Sequence, residues 1–61
     1  MSSAEEALER AEELLERLEK TRERLASTED PDEAIDILAE LRDIAKQVET
    51  ELEQARRDVA Q

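Results

Sequence analysis

Nineteen carboxylates are the only reactive groups this 61-residue chain carries in number. Inward-facing glutamates can hold paired metal ions in helical bundles, where each site also takes a Glu-x-x-His motif. This chain has no His. Glu5, Glu9, Glu12, Glu16 and Glu19 recur on what reads as a polar helix face, the ordinary setting of solvated charge. Carboxylate pairs for glycoside chemistry need a pocket and one raised pKa, and a pair of helices supplies no such pocket. The hydroxyls of Ser2, Ser3, Thr21, Ser27, Thr28 and Thr50 have no His to activate them, and there is no Cys. Lys20 and Lys46 fall off the apolar positions, so nothing points to a lysine of depressed pKa. We therefore expect a non-catalytic protein with no metal, no cofactor and no small-molecule substrate.

Composition narrows the partners. Without Gly there is no phosphate-cradling loop. A net charge of -10 and the absence of Phe, Tyr and Trp argue against direct nucleic-acid binding. The longest apolar run is Ile37-Leu38-Ala39, far short of the roughly 20 residues of a membrane span. Met1-Ser2-Ser3-Ala4 has no signal-peptide character, so a cytoplasmic location is the expectation. The basic stretch 17–24 reads as compensation of a helix dipole or as a docking site for an acidic partner, and the acidic stretch 29–36 as a capped, solvated turn or as a segment that binds a basic partner or repels wrong ones.

These charges need a scaffold, and turn-forming residues cluster at only one place. Ser27-Thr28-Glu29-Asp30-Pro31-Asp32 breaks the chain in two. Pro31 disfavours a helical Asp30 and is itself suited to the first position of a helix. Asp30 is the expected N-cap of the second helix, with Glu33 three residues on as in a capping box. Ser2 or Ser3 should cap the first helix ahead of Glu5 or Glu6. The expectation is one all-α domain over 1–61: helix 1 over about 3–27, a turn over about 28–30 and helix 2 over about 31–60. So short a connection makes the pair antiparallel. Glu6/Arg10, Glu13/Arg17, Glu16/Lys20 and Glu53/Arg57 are Glu-first pairs four apart, each worth about 0.2–0.5 kcal/mol to a helix.

Apolar periodicity says how the helices meet. In the second helix Ala34, Leu38, Leu41, Ala45, Val48, Leu52, Ala55 and Val59 alternate steps of four and three. In the first, Ala4, Leu8, Ala11, Leu15, Leu18, Arg22 and Leu25 do the same. Spacing of this kind keeps one face toward a partner under left-handed supercoiling. We therefore expect a coiled-coil-like hairpin whose internal seam is Leu8, Ala11, Leu15, Leu18 and Leu25 against Leu38, Leu41, Ala45, Val48 and Leu52. Arg22 interrupts that seam, either fixing register at a cost in stability or reaching out to water.

A second stripe runs beside each seam: Ala7, Leu14 and Thr21 on helix 1, Ile37 and Ile44 on helix 2, with Ile35 on the opposite flank. A stripe this wide suits a bundle better than a lone pair. Domains of this size rarely bury a sufficient core alone, and disulfide and ordinary metal staples are absent here. Leu14, Ile35, Ile37 and Ile44 are the residues expected to meet another chain, and two hairpins pairing into a four-helix bundle is the expected assembly.

Some segments resemble the small subunit of exodeoxyribonuclease VII. Glu6-Ala7-Leu8 followed by Leu14-Leu15-Glu16-Arg17-Leu18-Glu19 is similar to that family's start. Asp32-Glu33-Ala34-Ile35-Asp36-Ile37-Leu38 resembles its second-helix opening, and Ala45-Lys46 with Leu52-Glu53-Gln54-Ala55-Arg56-Arg57-Asp58-Val59 its end. Lys20-Thr21 and Leu41 stand where the family commonly has glycine, and the segment from Glu19 to Glu33 is longer by about two helical turns. The resemblance implies a helical hairpin that wraps a large nuclease subunit without catalysing anything itself.

Three roles follow. The first is an acidic hairpin for protein–protein assembly, chiefly with itself. The second is an accessory subunit held by a helical protein partner, as the resemblance implies. The third is an idealised, engineered scaffold with no ligand.

Overall fold

Pro31 starts the second of two helices, and the chain reverses immediately before it. A computed structural model describes residues 2–60; Met1, one of the large apolar residues of the sequence, lies outside them. Helix α1 runs Ser3–Ser27 and helix α2 runs Pro31–Ala60, packed against each other as a hairpin. The rod is 47 × 15 × 10 Å, its length close to the ~45 Å that 30 helical residues span.

The helix ends are set by side chains. Ser2 is the N-cap of α1: its Oγ accepts from the Glu5 N–H at 3.1 Å. The Ser2 hydroxyl also donates to the Glu5 carboxylate, so the reciprocity of a capping box is carried here by the hydroxyl. At the other end the Thr28 N–H donates to the Arg24 carbonyl, and Thr28 is already extended. Asp30 caps α2 as expected: its carboxylate accepts from the Asp32 N–H and its carbonyl from the Ala34 N–H. Thr28 Oγ1 accepts from the Asp30 N–H, which closes the turn without a glycine or a positive φ.

The inner face differs from the expected seam along half its length. Ala7, Ala11 and Thr21 of α1 are buried, with Ala4, Leu14, Leu18 and Leu25 half-buried. Ile37, Ile44 and Ala55 of α2 are buried, with Ala34, Leu41 and Val48 half-buried. The central row (Ala11, Leu18, Leu25, Leu41 and Val48) therefore lies where the seam puts it. Leu8, Leu15, Leu38, Ala45 and Leu52, expected inside, are exposed. Leu14, Ile37 and Ile44, expected to meet a second chain, line the interior of the hairpin instead. Arg22, expected on the seam, is exposed as well.

The physical reason is a choice between two flanks. Each helix carries a central apolar row with a usable row on either side. The hairpin closes on the row that contains Ile37 and Ile44, the two large side chains that it buries fully. Small residues opposite the polar half of α2 (Ala4, Ala7 and Ala11) match an inner row that ends in Glu51 and Asp58. Thr21, the one buried polar residue among the described residues, donates its hydroxyl to the Arg17 carbonyl at 2.8 Å. Among the described residues no buried side-chain polar atom lacks a hydrogen-bond partner.

Fully burying an Ile contributes roughly 1.5–3 kcal/mol, and deleting most of one also leaves a cavity. Ile44→Ala should cost about 2–5 kcal/mol and lower the thermal midpoint followed by far-UV circular dichroism. An unchanged midpoint would mean that Ile44 does not sit between the helices.

Candidate interaction surface

The two sides of the hairpin are chemically opposite. On one, Arg10, Arg17 and Arg24 recur every seven residues and reach across to α2. Arg10 Nε meets Glu51 at 3.0 Å, while Arg17 and Arg24 both bridge Glu40, at 4.0 and 3.3 Å. The pairs expected within helices, Glu6/Arg10 and Glu13/Arg17, yield to these because the arginines lie on the border that faces α2. This border has a shallow open groove of ≈ 290 Å³, lined by Arg10, Glu13, Leu14, Arg17, Gln47 and Glu51.

The opposite side has no such ladder. Leu8 and Leu15 of α1 run beside Leu38, Ala45, Leu52 and Val59 of α2, all exposed. Leu8 is 45% and Leu52 48% exposed, although both occupy regular heptad positions. Ile35 stands just beyond, 64% exposed. With the half-buried Leu18 and Leu41 of the central row, these side chains make an apolar face along the rod, interrupted on α1 by Arg22. An exposed apolar patch of that extent marks an interaction surface more often than open water.

Arg22 belongs to this face: it continues the row of Leu8 and Leu15. Its Nη2 bridges Glu19 at 3.1 Å. The hydrogen bonds that Arg22 donates to Glu19, then the charge of Glu19, push the guanidinium pKa above the ordinary value. Arg22 thus interrupts the outer face rather than the inner seam, and its head group is held by its own helix. Heptad counting alone assigned the outer leucines to the interior. What separates the two flanks is the reach of Arg10, Arg17 and Arg24 to Glu40 and Glu51, a relation between the helices rather than within either.

Among the described residues, no group of three or more acidic side chains is placed to hold a metal ion. No described helix is long and apolar enough to cross a membrane. The basic stretch 17–24 is divided between the two borders, with Arg17 and Arg24 on α2 and Arg22 on Glu19. In the acidic stretch 29–36, Asp30 is occupied as the helix cap.

No family model matches the chain, and neither a curated protein nor a solved structure matches it significantly.

The arginine ladder is partly exposed, where ion pairs are worth roughly 0–1 kcal/mol and are screened by salt. Glu40→Gln removes the negative charge shared by Arg17 and Arg24. It should destabilise the hairpin by about 0.2–1 kcal/mol at low salt, a difference that chemical denaturation should show shrinking as salt is raised. A loss that persists at high salt would mean that Glu40 acts through packing.

Proposed function

We propose that the hairpin is a non-catalytic assembly protein that associates with itself through the apolar face of Leu8, Leu15, Leu38, Leu52 and Val59, two copies forming a four-helix bundle. The observation that carries this reading is the division of apolar residues. Four of the eight leucines, Leu8, Leu15, Leu38 and Leu52, lie outside, while the only large side chains fully buried among the described residues are two isoleucines. A chain of this size with so thin an interior gains stability by covering its outer leucines.

Size and shape support the same reading. On α2 the face runs from Ile35 to Val59, about 36 Å of a rod 47 Å long. A second copy offers the same length, the same spacing and the same apolar edge, as a two-fold interface requires. The heptad spacing of the outer row lets it interlock with another such row in bundle packing.

The test is the mass of the purified chain by light scattering across a concentration series. The expected result is a dimer whose melting temperature rises with concentration. Leu15→Glu or Leu52→Glu, each on the outer face only, should give a chain of monomer mass. Arg22→Leu, which completes the outer apolar row, should tighten the dimer and raise its melting temperature. A fully helical monomer at high concentration would overturn self-association. A monomer that is poorly folded alone, and becomes helical only with a helical partner protein, would favour the accessory-subunit role that the nuclease resemblance implies.

A further inference from the structure

Resting on that self-association, we infer that the two copies pair with their turns at the same end, so that α1 of each lies beside α2 of the other. The argument comes from the charges bordering the apolar face. Beyond the outer row of α1 stand Glu5, Glu12 and Glu19, followed by Ala26. Beyond the outer row of α2 stand Ile35, Arg42, Glu49 and Arg56. One border carries three glutamates and no base, the other two arginines and one glutamate, so the two edges of the face differ in sign.

Register follows from the ion pairs. Glu40 is bridged by Arg17 from one side and Arg24 from the other, so it stands level with the midpoint between them. Counting outward sets Leu8 level with Leu52, Leu15 with Ala45 and Arg22 with Leu38. It also sets Glu5 level with Arg56, Glu19 with Arg42 and Ala26 with Ile35.

Two hairpins facing each other through this surface have two symmetric arrangements. In one, the two-fold axis runs along the bundle. The turns then share an end, axial levels are preserved, and α1 neighbours α2 of the other copy. In the other, the axis crosses the bundle, the turns lie at opposite ends, and α1 neighbours α1. Adjacent helices are antiparallel in both, so helix dipoles do not decide between them.

The borders do decide. With turns together, Glu19 faces Arg42 of the other copy, Glu5 faces Arg56, and Ile35 gains an apolar neighbour in Ala26. Glu12 opposite Glu49 is the one like-charged level. With turns apart and the rods overlapped, Glu12 faces Glu19 of the other copy while Arg42 faces Glu49, so repulsion on one border cancels attraction on the other. The shared end does bring together two clusters of Glu29, Asp30, Asp32, Glu33 and Asp36. Those residues sit at the tip, where water and salt screen them beyond about 8 Å, whereas the border pairs are in contact.

The chain has no Cys, so Glu29→Cys in the exposed turn accepts a single spin label. Dipolar spectroscopy on the dimer should give a short distance, one interhelical spacing of about 8–10 Å plus the label tethers. A distance approaching the 47 Å rod length would overturn the shared-end arrangement while leaving self-association standing. A labelled chain of monomer mass with no dipolar coupling would remove both. Charge reversal gives a second reading. Arg42→Glu should weaken the dimer several-fold, and adding Glu19→Arg to it should restore the affinity. Tightening by Glu19→Arg alone would instead indicate α1 against α1 and overturn the inference.

Discussion

Closure of the hairpin rests on Ile37 and Ile44, the two large side chains that it hides completely from water. Their burial decides which flank of each helix turns inward, and the other features follow from that choice. With the isoleucines inside, Arg10, Arg17 and Arg24 come onto the border that faces Glu40 and Glu51. The same rotation carries Leu8, Leu15, Leu38 and Leu52 outward. A rotation of either helix by about 40–60°, the angle between neighbouring rows of the wheel, would exchange the two sets. It would also break the arginine ladder and strand the isoleucines. Packing and electrostatics therefore favour the same flank, though packing supplies the larger part because exposed ion pairs are weak.

Along the rod the interior is uneven. Near the turn it holds Leu25, Thr21 and Ile37; mid-rod it holds Leu14, Leu18, Ile44 and Val48. Toward the far end it thins to Ala4, Ala7 and Ala55 beside the half-buried Glu51 and Asp58. Leu8, Leu52 and Val59 project outward at that same end. The end most distant from the turn is thus held least by its own contacts. Under the proposed assembly it is also where the outer face has most large apolar surface to cover. Side chains of each copy would then complete what the hairpin leaves thin.

The elements were legible in the sequence because their signals are local. Ser2, Asp30 and Pro31 act within one helical turn of where they stand, and each terminus falls where these residues place it. The central row was legible too, since Ala11, Leu18, Leu25, Leu41 and Val48 belong to either possible seam. The flank was not, because a 4-3 series and a 3-4 series share every second member. Leu8 and Leu15 are more apolar than Ala7 and Thr21, so a count of hydrophobicity favours the wrong side. Only relations between the helices separate the flanks: the reach of Arg17 and Arg24 to one glutamate, and the fit of isoleucine rows against small residues. Such relations exist only once the two helices are placed together.

Charge then limits what an open apolar face can do. A chain with net charge -10 repels its own copies at a distance, which opposes indiscriminate association through the leucines. Approach becomes favourable only where opposite signs meet, and Arg42 and Arg56 are the bases on the border beyond the outer row of α2. Both stand level with acids of α1. The apolar strip supplies affinity in the proposed dimer, since burial of leucine does not depend on orientation. The thin basic edge supplies direction, because reversing the partner sets Glu12 against Glu19 and so cancels the attraction of Arg42 for Glu49. Few bases suffice for this, provided that they lie at the levels of their acids and that the rest of the surface stays acidic.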